Sequence, residues 1–365
     1  MKPVDHTPTA WKWAAWTLAG LIGLAVSSCS PSTNVGTASP GAVAAEPAPA
    51  APLVVTDEAW TFDDAAGRVY RTPSYAIYTT MSGGMIVDRA PSFLEHALSN
   101  YTSAIAPLPR PTRTMETYLL STKAQWQKLT RRLLGDEADP FLRIERGGFS
   151  HKGRGVFFDI GPRDTFVIAA HEGWHQYVQT TFRETMPVWL DEGVATVMEG
   201  FRWDQADVTV PKFMPWANLE RWQTLQWTNQ RGNLMPLKTL LRTTPQELIT
   251  DPGNGGGDWA PLMYYAQVWG LVQFLREAEE GKYALGLREM LTDAAAGRMG
   301  RRVEQELGRA SADAFRMRRD GTVVFAAYIG RDLPALEGEY KAFVARATAR
   351  GNRAKVAAGK SPLEP

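Results

Sequence analysis

Apolar positions along this chain follow two different periods, and the change of period divides it. The β-branched and aromatic run SYAIYTT over residues 74–80 predicts a strand, as do Met115–Leu120 and GVFFDI over residues 155–160. Between them, Phe93, Leu94, Ala97, Leu98 and Tyr101 recur at the spacing of one helix face, in a helix that Pro91-Ser92 is expected to start. Lys123–Leu134 predicts a second helix, stopped by Gly135. From Thr165 onward the helical period takes over, with helices expected at 165–181, 187–199, 237–241, 261–278, 283–291 and 335–349. Residues 251–259 (DPGNGGGDW) form a glycine-rich loop that lacks the Lys-Ser/Thr of a phosphate-binding loop. No segment repeats. The expected fold is α+β, with a small α/β sheet part over 56–164 and a mainly helical part over 165–350. Residues 351–365, small, basic and proline-containing, are expected to be a disordered tail.

The region ahead of this has a different character. Lys2 and Lys12 precede an uncharged apolar stretch from Trp13 to Val26. A helix of about 14 residues is too short to cross a bilayer of roughly 30 Å, but it suits the apolar region of a signal peptide. Val26-Ser27-Ser28-Cys29 resembles a bacterial lipobox, which makes residues 1–28 a leader and Cys29 the lipidated first residue of the mature chain. Residues 29–55, rich in Pro, Ala, Ser and Gly, read as a disordered tether. The expectation is an exported lipoprotein held on a membrane. Ser30, where an Asp would favour the inner membrane, points to the outer one if the cell has two.

Composition then narrows the chemistry. Cys29 is the only cysteine, so neither an intramolecular disulfide nor a cysteine-based zinc site is available. A net charge of +1 supplies no field that would attract nucleic acid. Trp189, Trp203, Trp216, Trp222, Trp227 and Trp259 crowd the middle of the chain, as an aromatic groove or as core filling.

Histidine is scarce, with five in the chain, and two of them fall in His171-Glu172-Gly173-Trp174-His175. Residues four apart share a helix face, so both imidazoles can reach one metal ion while Glu172, one position on, lies beside it and can take a proton from water. Pro162 and Asp164 are helix-start signals just upstream. After a short connection, Pro187-Val188-Trp189-Leu190-Asp191-Glu192-Gly193 starts a second helix with acids in its first turn. Glu192 could be carried back to the metal by an antiparallel pairing, or could be there to complement the helix dipole. His171, His175 and Glu192 would leave a fourth position open, the arrangement of catalytic rather than structural zinc. His151 is a spare imidazole nearby and a weaker ligand candidate.

HEGWH followed by WLDEGVA resembles the gluzincin metallopeptidases, and most closely the bacterial peptidase MA-like proteins of unknown function. The specific part covers residues 166–199 and 264–275. The resemblance implies a zincin-like catalytic domain holding one zinc ion on His171, His175 and Glu192, with Glu172 as general base. It also implies that Glu199 orients one of the histidines, and that Tyr265, or its neighbour Tyr264, stabilises the oxyanion of a hydrolysed peptide. Two features depart from that pattern. Thr196 stands where thermolysin-like members carry an Asp, and the signature that grips a substrate's free amino group is missing. In its place, residues 147–155 (GGFSHKGRG) could present a strand edge to an extended peptide or form an ordinary hairpin turn. The expected function is thus a membrane-anchored zinc hydrolase acting on a peptide or protein. A catalytically silent binding or scaffolding lipoprotein and a zinc hydrolase of a non-peptide bond are the rival expectations.

Overall fold

The computed structural model describes Leu53, residues 55–250 and residues 259–364. The expected leader, Cys29 and nearly all of the tether lie outside these residues, as does the glycine-rich loop up to Asp258.

The first part of the fold runs β1 (Thr56–Phe62), β2 (Ala65–Arg71), β3 (Tyr75–Thr79), α1 (Met85–Tyr101), β4 (Met115–Leu120), α2 (Lys123–Leu134), the single turn α3 (Asp139–Leu142), β5 (Gly148–His151) and β6 (Arg154–Phe158). Its six strands form one sheet in the order β1-β2-β3-β4-β6-β5. β4 runs parallel to both neighbours and the other pairings are antiparallel. Both faces are covered. The two-residue alternation of β6 puts Phe157 in the core shared with α1, while Val156 and Phe158 pack with Trp126 of α2. β5 joins β6 through Lys152 and Gly153, both at positive φ (50° and 77°), and ends the sheet. Residues 147–155 are therefore a hairpin whose outer strand is also a sheet edge.

Helix α1 starts at Met85, ahead of the expected Pro91, which lies inside it. An interior proline loses a backbone hydrogen bond at a cost of about 3 kcal/mol. Burial of Ile86, Val87 and Ala90 in that added stretch offsets the loss.

The second part comprises α4 (Pro162–Thr181), α5 (Val188–Met198), the short hairpin β7 (Phe201–Trp203) and β8 (Pro211–Phe213), α6 (Leu219–Gln230), α7 (Leu237–Leu240), α8 (Pro245–Thr250), α9 (Ala260–Glu277), α10 (Ala284–Ala296), α11 (Met299–Leu307), α12 (Arg309–Arg318), α13 (Gly321–Tyr328), α14 (Leu333–Ala347) and α15 (Arg353–Ala357). α+β is thus the fold class, with a sheet-bearing first part and a mainly helical second part. None of the described helices is long and apolar enough to cross a membrane.

The disordered tail expected from 351 is corrected. Residues 353–357 form α15, whose Val356 is fully buried. Arg202 Nη2 donates to the Ala357 carbonyl at 2.6 Å, and Ser361 Oγ donates to Glu277 at 2.7 Å. One apolar anchor and two polar ones fix a stretch whose composition alone carries no packing signal.

Two contacts set the frame for the site. α4 packs against both the sheet and α1, and α5 lies directly on α9. At Gly193 a Cβ would stand 2.7 Å from Val272 Cγ2 and 2.9 Å from the Val268 carbonyl oxygen, so only glycine permits this approach.

Candidate metal centre

Helix α4 opens on Pro162 in its first turn, after Gly161 at φ 94°. Its residues from Ile168 to Val178 are all buried, so its histidines point into protein and not into solvent. Gly173, inside the histidine motif, faces α1: a Cβ there would lie 2.6 Å from the Tyr101 hydroxyl, which donates to the Ala170 carbonyl at 2.7 Å. Ser150 Oγ of β5 donates to the backbone carbonyl of Glu172, tying the helix to the edge strand.

His171, His175 and Glu192 come together, with one possible ligand atom from each lying within 4.8 Å of the others. The two Nε2 atoms are 3.3 Å apart, and Glu192 Oε2 lies 3.2 Å from that of His171 and 3.5 Å from that of His175. All three side chains are at most 2% exposed. Glu172 is equally buried, and neither of its carboxylate oxygens has a hydrogen-bond partner.

The outer nitrogens are held by acids. Glu199 Oε1 meets His171 Nδ1 at 2.8 Å, and Asp191 Oδ1 meets His175 Nδ1 at 3.2 Å while accepting from Trp174 Nε1 at 2.9 Å. Glu199 is held in turn from α6. Arg221 donates through Nη2 to Oε1 (2.9 Å) and through Nε to Oε2 (3.1 Å), and Asn218 donates to Oε2 at 2.7 Å. Each imidazole thus turns Nε2 toward the other and toward Glu192, the orientation that carboxylates behind metal-bound histidines impose. Thr196 takes no part: its hydroxyl donates to the carbonyls of Glu192 and Gly193 in its own helix.

Glu199 was legible in the sequence, but Asp191, Asn218 and Arg221 were not. Asp191 looks like an ordinary first-turn acid, and Asn218 and Arg221 lie in a segment whose pattern predicts no helix. His151 stands apart from the cluster, on β5, with its Nε2 3.9 Å from Glu137.

Both tyrosines of α9 border the centre. The Tyr265 ring lies 6.0 Å from that of His171, edge to face, with the Arg221 guanidinium 5.2 Å above it. The Tyr264 ring packs against Tyr265 at 5.8 Å, and its buried hydroxyl has no hydrogen-bond partner.

The chain matches no protein-family model, no curated protein and no solved structure. The chemistry of the centre therefore rests on its own geometry.

That geometry fits a divalent cation. Two imidazoles and one carboxylate converge, Glu192 Oε2 has no partner besides those two imidazoles, and neither oxygen of the neighbouring Glu172 makes a hydrogen bond. Burial alone would lower the pKa of His171, but the Glu192 and Glu199 carboxylates outweigh it and push it up to about 9. Burial likewise disfavours a charge on Glu192, yet the two imidazoles hold its pKa down at about 2. The same holds for Glu199, kept at about 2 by Arg221 and His171. Glu172 goes the other way, raised above the usual carboxylate value chiefly by burial.

These shifts predict how metal uptake depends on pH. Protonated imidazoles compete with a cation, so binding at neutral pH should release protons, and affinity should rise with pH until about pH 9. The sign for the metal-free fold is opposite: stability from the His171 proton is complete below about pH 6.5 and fades as pH climbs through about 9. Calorimetric titration with zinc in buffers of different ionisation enthalpy reads the released protons directly. A pH-independent affinity would remove His171 from the ligand set.

Proposed function

We propose that this protein is a zinc-dependent hydrolase of peptide bonds, exported and tethered to a membrane through Cys29. The observation that carries the reading is the buried His171–His175–Glu192 group with the unpartnered Glu172 carboxylate beside it. Three ligands with room for a fourth are the donor set of catalytic zinc, in quantity one ion per chain. Bound there, zinc supplies a Lewis acid that polarises a carbonyl and activates water.

The chain's own residues supply the rest. Glu199 and Asp191 hold the histidines by their Nδ1 atoms and keep Nε2 aimed inward. Arg221 and Asn218 keep Glu199 in place for that task. Glu172 takes a proton from the attacking water and delivers it to the leaving amine; its raised pKa, closer to neutrality, suits a group that must do both. Tyr265 is the proposed donor to the developing oxyanion, and Tyr264, with its unspent hydroxyl, is the second candidate. A peptide is favoured as substrate by the likeness to gluzincins and by β5, a sheet edge that runs beside α4.

The deciding experiment measures zinc per chain in the purified protein and in Glu192→Ala, followed by hydrolysis of a peptide panel and a cell-wall amide panel. About one zinc per chain, lost in the variant, together with peptide cleavage is the expected result. A protein that takes up no metal when zinc is supplied would end the enzyme reading. Cleavage of cell-wall amides alone would move the substrate to a non-peptide bond.

A further inference from the structure

A cleft of about 440 Å³ opens at the C-terminal end of α4, past the turn that carries His175. One wall is the connection between α1 and β4, with Pro107, Pro109, Arg110 and Thr112. The others are Thr180 and Thr181 at the end of α4, Arg183 just beyond it, and the last turns of α10. The proline wall is fixed from behind. Tyr177 Oη donates to the Pro109 carbonyl at 2.7 Å, and the Leu108 N–H donates to the Thr102 carbonyl at 2.9 Å. Arg183 is seated by its backbone, whose N–H donates to the Ala295 carbonyl at 3.3 Å. The shape of the cleft thus comes from groups other than the arginine heads.

Those heads have no other task. Arg110 and Arg183 are exposed, neither has a carboxylate partner among the described residues, and no acid lines the cleft. Arg113, also without a carboxylate partner, adds a third guanidinium. A Cβ on Gly153 would lie 3.0 Å from its Nη2 and 2.7 Å from Thr180 Oγ1, which places it against the cleft wall. Two acids close by along the chain are committed elsewhere. Glu184 accepts from the Gly300 N–H at 3.0 Å, and Asp293 accepts from Arg298 Nε at 3.0 Å and from Tyr328 at 2.9 Å. Nor do the guanidinia cap the helix ends. The backbone N–H groups of Arg183, Glu184 and Gly297 already serve the Ala294 and Ala295 carbonyls, and that of Phe182 serves Val178. Thr181 Oγ1, from the same lining, is buried and has no partner.

We propose that this cleft is a binding site for a phosphate ester, separate from the metal centre. Like charges around a walled cleft focus a positive field, which an anion relieves. Guanidinium forks match phosphate oxygens two at a time, and the threonine hydroxyls can donate to those that remain. Three cations suit a phosphate, with a charge approaching two and three acceptor oxygens, better than a singly charged carboxylate. The volume lies within the roughly 300–1,000 Å³ of small-molecule sites, and Pro107, Pro109, Ala295 and Ala296 give the organic part an apolar wall. The same chemistry describes a soluble phosphomonoester and the headgroup of a phosphate-bearing lipid.

The test is calorimetric titration of the full chain at physiological ionic strength with glycerol 3-phosphate and with monomeric dihexanoyl phosphatidic acid, beside glycerol and acetate as controls. We expect at least one phosphate ester to bind and neither control to do so. The tighter of the two esters shows whether the phosphate belongs to a soluble molecule or to a lipid headgroup. Arg110→Gln/Arg183→Gln should weaken that binding by about 10- to 100-fold, the size of hydrogen bonds to charged partners. Both arginines are exposed and unpaired, so the free double variant should melt with its parent, and a loss of binding is then not a loss of fold. Failure of both esters to bind, acetate binding as tightly as the esters, or full binding by the double variant overturns the proposal. Neither zinc nor turnover enters this measurement, so its outcome is independent of the hydrolase reading.

Discussion

A Glu172→Gln protein is expected to take up zinc like its parent and to hydrolyse peptides about 10²- to 10⁴-fold more slowly. The substitution keeps shape and volume and removes only the ability to carry a proton. Glu172 is the one buried acid of the centre that neither joins the ligand cluster nor holds a histidine, so the effect should fall on kcat and spare metal affinity. Thermal stability gives an independent check with a definite sign. Burial raises the Glu172 pKa, so ionising it costs folding free energy above the unfolded value near 4.5, and the neutral amide escapes that cost. The variant should melt at or above the temperature of the parent while losing its activity. A rate within a few-fold of the parent would take the general-base role away from Glu172.

Arg221→Met is expected to destabilise the fold by about 3–5 kcal/mol, a fall in melting temperature on the order of 10 °C. Glu199 is 5% exposed and Arg221 8%, and two hydrogen bonds join them, so removing the cation leaves a carboxylate charge buried beside only one imidazole and an amide. The double variant Arg221→Met/Glu199→Gln should regain a good part of the loss, because the buried charge goes with its partner. A thermal melt of the two single variants and the double variant measures the coupling. If the double variant is no more stable than Arg221→Met, the loss comes from packing and not from the unpaired charge. Zinc affinity should fall in both, since His171 Nδ1 loses a properly held carboxylate; outer partners of this kind change affinity by about 10- to 100-fold.

What the sequence discloses about this fold depends on how each element buries itself. β4, β6 and α2 are legible because apolar residues fall on the core side at the right period. β1 is nearly all exposed and carries no such signal. α6 is hidden for a more instructive reason. Its buried face is Arg221, Trp222, Leu225 and Thr228, and the arginine and threonine interrupt the apolar stripe that would otherwise mark a helix. The same arginine holds Glu199, so the residue that conceals the element is the one the site requires. The histidine pair of the candidate metal group was legible because four-residue spacing is local geometry, whereas Glu192, on the next helix, is brought to it by the fold. The partners from α6 were not, because only the folded chain brings Asn218 and Arg221 to Glu199.

The contact at Gly193 has a practical consequence for anyone who would redesign this protein. Glu192 is its immediate neighbour on one helix, and Val268, whose backbone would meet any added carbon, lies three residues from Tyr265 on the other. The two helices interlock there like gear teeth, so carboxylate and phenol behave as parts of one machined block whose spacing no substitution can adjust gradually. Adaptation to a new substrate is expected to come from elements outside that block, such as the edge strand β5 and the β7–β8 hairpin, neither of which takes part in this contact.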